Sequence, residues 1–207
     1  MKSVMKRACR IALLFLILSV CFPREAMATS FSYTATLNIA VKLVYYLHRT
    51  DLTVVTPAGK LMNTTRPPSS QSETTYTIAR GGSIYFYTPP LSAGTIGGGT
   101  WTLYLWASTV SSGKVSSLTV GIYVVSSDGS TEKAVIGSVT DVIIDYGYSE
   151  RAITISGSAA NITSTDRIRL TLYAQTGATN DPKGMNFYYD GYGTYQTLYH
   201  ETRMQLP

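Results

Sequence analysis

The chain of 207 residues carries two histidines, His48 and His200, each beside a tyrosine-rich stretch. With a carboxylate such as Glu201 they offer the donor types of a metal site. Polar-tipped residues at strand ends are the plainer reading, so no metal site is expected. The carboxylates outside the N-terminal leader are Asp51, Glu73, Asp128, Glu132, Asp141, Asp145, Glu150, Asp166, Asp181, Asp190 and Glu201. Glycoside hydrolysis needs two of them flanking a cleft. Most fall instead at turn-like positions, where Asp hydrogen-bonds nearby backbone. Calcium takes oxygen ligands from loop carboxylates and carbonyls. Asp181 and Asp190, flanking a glycine-containing loop, are the candidates for a structural calcium, although no calcium-loop motif is present and no cofactor is expected. A Gly-x-Ser-x-Gly elbow, which would present a nucleophilic serine, does not occur. The expectation is a chain that is not an enzyme.

Aromatic residues point elsewhere. Tyr188, Tyr189, Tyr192, Tyr195 and Tyr199 crowd the C-terminal end, and Trp101 and Trp106 lie on opposite faces of one alternating run. An aromatic ring offers apolar contact area while its polar tip stays wet. Trp106, Tyr192 and Tyr195 are therefore the candidate platforms for a carbohydrate, with ordinary β packing or a subunit interface as the alternative.

Residues 1–28 read as a secretory leader. Lys2, Lys6, Arg7 and Arg10 precede an apolar run over 11–22, and Ala26-Met27-Ala28 supplies small residues for cleavage. The apolar run is about a dozen residues, whereas a membrane-spanning helix needs roughly 20. Cleavage after Ala28 leaves a chain expected to be secreted, extracellular or at the cell surface, with no membrane segment of its own. The formal charge of +5 is mostly the leader's; the remainder has about 12 basic against 11 acidic residues. No basic stripe survives to track a nucleic acid, so none is expected as a partner. Both cysteines, Cys9 and Cys21, lie in the leader. The mature chain must hold together without disulfides, and thiolate metal sites and cysteine nucleophiles are excluded.

The elements that must position these residues are strands. The composition is rich in Ser, Thr, Tyr, Val and Gly, and no window holds a helical apolar period. Strand-like runs cover residues 74–79, 83–88, 100–108, 117–125, 131–136, 139–146, 152–156, 167–175, 185–189 and 196–205. Asp128-Gly129 marks a hairpin, and 57–72 and 177–184 read as long loops. With side chains alternating between faces, Trp101, Leu103 and Leu105 belong to the core, as do Ile168, Leu170 and Leu172. Arg167 and Arg169 belong to a solvated or partner-facing surface. Many short strands at this spacing indicate a sandwich or barrel, with the β-domain over 44–207.

The pieces at 85–91, 100–108, 118–129, 165–170 and 187–191 resemble, in rhythm, the jelly-roll, galactose-binding-like sandwich modules of secreted prokaryotic proteins. The resemblance runs from about Tyr45 to the C-terminus. It implies an all-β, single jelly-roll-like antiparallel β-sandwich and carries no binding residue across.

Residues 29–43 stand apart. Phe31, Tyr33, Ala35, Leu37, Ile39, Val41, Leu43, Tyr45 and Leu47 alternate with mostly polar neighbours over about 17 residues, where strands seldom exceed about 10. One straight strand of that length would reach about 55 Å. Either two strands meet at a bend near Asn38 or Ala40, or residues 31–41 complete the sheet of a neighbouring molecule. The second arrangement resembles donor-strand exchange in pilus and biofilm-fibre subunits. It implies a homo-oligomer or filament anchored by Phe31, Tyr33, Leu37, Ile39 and Val41. The first expectation is thus a secreted structural subunit that polymerises by strand addition. The alternative is a non-catalytic carbohydrate-binding module for a surface polysaccharide.

Overall fold

The structure is a computed structural model that describes residues 43–177, 179–191 and 201–207. The expected leader, the anchors Phe31, Tyr33, Leu37, Ile39 and Val41, and Tyr192, Tyr195 and His200 lie outside the described residues.

The described chain is all-β, with thirteen strands and no helix. They are β1 (Val44–Leu52), β2 (Gly59–Asn63), β3 (Thr74–Ile78), β4 (Ser83–Tyr87), β5 (Gly94–Ile96), β6 (Gly99–Thr109) and β7 (Val115–Val125). After them come β8 (Glu132–Asp145), β9 (Ser149–Gly157), β10 (Ala160–Ile162), β11 (Arg167–Ala174), β12 (Met185–Tyr189) and β13 (Arg203–Gln205). Eleven form one sheet in the order β3-β12-β6-β13-β1-β2-β4-β11-β7-β8, with β9 on the other edge of β6; β5 and β10 pair separately. β2 runs parallel to β4, so the sheet is mixed where the resemblance implied a purely antiparallel one. β2 itself lies inside the stretch read as a loop over 57–72. The two runs expected over 131–136 and 139–146 are one strand, β8. Its pairing with β7 slips register three times, including once beside Gly137.

The sheet folds over so that two of its parts face each other. Phe86 of β4 meets Phe187 and Tyr189 of β12 edge-on, with ring centroids 5.8 and 5.5 Å apart. Between the facing surfaces lies one apolar cluster. The odd positions of β6 (Trp101, Leu103, Leu105 and Ala107) and the even positions of β11 (Ile168, Leu170, Leu172 and Ala174) all point into it. The alternation in these strands therefore places the expected core residues correctly. Trp101 needs a gap across the pairing of β6 with β9: a Cβ on Gly157 would stand 2.6 Å from its indole.

Arg167 departs from the alternation. It is buried and donates to the carbonyls of Ser127 (2.7 Å) and Thr88 (2.7 Å), tying β11 to two loops. Arg169, expected on the same surface, is also largely covered, with 13% of its side chain exposed. That guanidinium lies over the Tyr123 ring at 4.8 Å and pairs with Glu132 at 2.8 Å.

Candidate functional site

β6 is the organising strand. Its odd positions face the core, so Thr102, Tyr104, Trp106 and Ser108 share the opposite face. β12 and then β13 lie end to end along one edge of β6, and β9 along the other. Tyr188 stands opposite Trp106, Arg203 opposite Tyr104, and Glu150 opposite Trp106 on the far side.

An aromatic cluster results. The half-buried Trp106 ring lies 5.1 Å from that of Tyr148 at an interplanar angle of 34°. Tyr148 meets Tyr188 edge-on at 4.4 Å and 78°. Such tilted and edge-on pairs are the arrangements ring quadrupoles favour. The polar tips are organised too. The Tyr148 hydroxyl donates to Glu73 Oε2 at 2.5 Å, and the Tyr188 and Ser108 hydroxyls lie 3.1 Å apart. Burial and the neighbouring Glu73 carboxylate push the Tyr148 phenol well above its ordinary range, so it stays protonated and donating. Next along the face, the Arg203 guanidinium covers the Tyr104 ring at 4.2 Å and reaches Glu150 at 3.7 Å. Aromatic surface is thus bordered by two carboxylates, a guanidinium and hydroxyls.

The described residues that flank 192–200 stand beside this cluster. The chain leaves β12 at Tyr189 and returns into β13 at Arg203 on the same edge of β6. Thr202 closes the root: its hydroxyl donates to the Tyr188 carbonyl at 2.7 Å and accepts from the Trp106 N–H at 3.4 Å. Both flanks are pinned by carboxylates buried near the root. Glu201 pairs with Arg66. Asp190, only 4% exposed in its side chain, accepts from the Arg49 N–H at 2.9 Å and lies 2.9 Å from His48 Nδ1. Asp190 also adopts a left-handed backbone, φ 58°, uncommon for a residue with a side chain. Gly191 follows because nothing larger fits: a Cβ there would sit 2.4 Å from the Ser72 backbone. A backbone held this tightly in a costly conformation is characteristic of binding and active sites.

His48 deserves its own chemistry. Its Nε2 lies 3.0 Å from Asn63 Oδ1, and that same oxygen accepts the Thr65 N–H at 2.8 Å, which fixes the amide's orientation. Both ring nitrogens therefore face acceptors, and the imidazolium, which donates from both, is the matching form. Burial alone would lower the His48 pKa. Asp190, through its hydrogen bond and charge, and Asn63 outweigh it and raise the pKa above the usual value. The carboxylate–imidazole half resembles that of a nucleophilic triad, but Nε2 meets an amide oxygen instead of a hydroxyl. The pair fastens the root.

Trp106 thus lies on the face expected of it. Alternation places Tyr104 on this face beside Trp106; Tyr148, Arg203 and Glu73 were not singled out from the sequence as part of it. The only sequence-level hint is the turn-like Tyr146-Gly147-Tyr148. The calcium candidates do not converge. Asp181 is buried and accepts from the Ser111 N–H and hydroxyl and the Lys183 N–H at 2.6, 3.0 and 2.9 Å, while Asp190 is held by His48 and Arg49. Among the described residues no cluster of three metal-ligating side chains occurs.

No protein-family model and no curated protein matches the chain. Solved structures do. The chain is similar to a CocE/NonD family hydrolase from Staphylococcus aureus, solved twice, with TM-scores of 0.54 and 0.56 at 12% and 13% identity. The match covers 81% of this chain and 36% of that one. It is similar also to an aminopeptidase from a marine sediment archaeon (Thaumarchaeota archaeon), with a TM-score of 0.52 at 13% identity, covering 79% of this chain and 36% of that one. The chain thus spans about a third of the length of these structures, and at such identity the likeness is one of fold. These findings overturn the expectation of a chain that is not an enzyme: the solved structures sharing this fold are titled as a hydrolase and an aminopeptidase.

Proposed function

We propose that this chain is a secreted β-sandwich module of the jelly-roll kind that binds carbohydrate on the outer face of β6. The facing of β4 and β12 across one core supports the sandwich. The observation that carries the function is the Trp106–Tyr148–Tyr188 cluster at the root of the tyrosine-rich stretch. A sugar ring presents an apolar C–H face and a rim of hydroxyls. The first complements the half-exposed Trp106 ring, and the second complements Glu73, Glu150 and Arg203. A surface polysaccharide is the natural target of an exported module of this kind.

The test is glycan-array screening of the purified protein with residues 1–28 removed, followed by calorimetry on the best ligand and a parallel assay for its cleavage or deacylation. Trp106→Ala should weaken the affinity by about tenfold or more, the loss of about one good aromatic contact. Equal binding by Trp106→Ala and the unaltered protein, or capture of no glycan at all, overturns the proposal.

A further inference from the structure

A second site lies away from the aromatic face. An apolar groove of about 560 Å³ runs between β5 on one side and the ends of β1 and β13 on the other, with Leu43, Tyr45, Leu91, Ile162 and Leu206 among its walls. β5 is hydrogen-bonded to β10 along one edge only; among the described residues its other edge pairs with no strand. Gly94 and Gly97 leave that wall bare, for a Cβ at either would meet nothing within 4 Å. A free strand edge beside an apolar trough is what an added strand requires. The edge supplies main-chain partners and the trough takes alternate side chains.

We infer that the occupant is residues 31–41 of a second copy of this chain. Three observations select it. Phe31, Tyr33, Leu37, Ile39 and Val41 fall on one face of an extended segment, matching an apolar trough. The segment runs directly into Leu43, which stands on the groove's own rim with 43% of its surface exposed and its carbonyl bound to the Leu206 N–H at 2.9 Å. Residues 29–49 contain neither proline nor glycine. A tight reversal at Leu43, needed to lay the segment back into its own groove, lacks the residues that make such turns. The groove it fills is accordingly that of a second molecule. Donor and acceptor are different surfaces, so the contact is heterologous and repeats head to tail.

The test uses the protein with residues 1–28 removed, at about 50 μM, followed by sedimentation velocity and electron microscopy. The unaltered protein should run as a ladder of species larger than a monomer. Two variants should each be monomeric: the donor variant Leu37→Asp/Ile39→Asp, and the acceptor variant Gly94→Trp, which fills the groove from a position with room for a side chain. Mixed in equal amounts they should give a discrete dimer, because the acceptor variant still carries a sound donor and the donor variant an open groove. Gly97→Trp repeats the acceptor arm should Gly94→Trp fail to fold, and a cooperative thermal melt followed by circular dichroism verifies folding independently of any ligand. A monomeric unaltered protein, assemblies indifferent to both variants, or a mixture that stays monomeric while the unaltered protein assembles would each overturn the inference.

Discussion

His48 and Asp190 are separated by 142 residues in the chain and by 2.9 Å in space. One stands in β1 and the other just past β12, at the point where the tyrosine-rich stretch departs. The pair couples the first long strand to the root of the candidate site, and its protonation state becomes a property of that root.

The raised His48 pKa fixes the sign of a pH dependence. Folding favours the imidazolium, so the stabilisation is complete below the unfolded-state pKa and disappears as the pH climbs through the folded-state value. Melting temperature should therefore fall as the pH rises above the ordinary histidine range in the unaltered protein and change much less in His48→Gln. The stabilisation at stake is about 1.5–3 kcal/mol, that of a hydrogen bond to a charged group. An NMR titration of His48 checks the assignment: a pKa at or below the ordinary value would contradict it.

Asp166 works in the opposite direction. It is buried and accepts from Lys133 Nζ (2.6 Å), the Thr163 N–H (2.9 Å) and the Thr163 hydroxyl (2.8 Å). Burial alone would raise its pKa, but these donors hold it below the usual carboxylate range. Its contribution is present above the unfolded pKa and is lost as the pH falls through the folded one. Asp166→Asn should lower stability near neutral pH and flatten the acid limb of the unfolding curve, as measured by urea titration from pH 7 down to 3.

Arg167→Ala should cost about 3 kcal/mol, because it strands the Thr88 and Ser127 carbonyls that the guanidinium now satisfies. Chemical denaturation reads this directly. Arg169→Ala, which removes a half-buried ion pair with Glu132 and a contact with the Tyr123 ring but strands no carbonyl, should cost less, about 1–2 kcal/mol.

Gly191→Ala separates the root from the rest of the fold. The added methyl meets the Ser72 backbone, a rigid neighbour, and overpacking of this kind costs about 1–3 kcal/mol. If the root positions the ligand-binding stretch, glycan affinity should fall along with stability, while the core strands keep their protection in hydrogen exchange.

Much of the architecture was legible in the residues. The alternation through Trp101, Leu103 and Leu105, and through Ile168, Leu170 and Leu172, places β6 and β11 and tells inside from outside. β12 is recovered end to end. What escaped did so for physical reasons. β2 opens with Gly59 and Lys60 and is framed by prolines, so its local signal is that of a loop. It is a strand because β1 and β4 flank it. Gly137 reads as a break, yet it sits within β8 at a register slip, where a Cβ would come within 2.6 Å of the Ser156 carbonyl oxygen on β9. Arg167 obeys its carbonyl partners over the period-two rule. At the candidate site Trp106 was visible because it sits in a strongly patterned strand. Its companions Tyr148 and Glu73, and the His48–Asp190 pair, were not. They meet across 75 and 142 residues, and no local pattern encodes such distances.

The pairing of β1 with β13 bears on how the molecule comes into being. Val44 lies opposite Gln205, so the strand near the start of the described body waits for the one near its end. Until both are present the sheet order is broken in its middle, between β6 and β1. Before β13 is present the sheet exists as two pieces, β3-β12-β6-β9 and β1-β2-β4-β11-β7-β8, and their joining is a late event gated by long-range search. Slow closure of the finished sheet is the expected consequence.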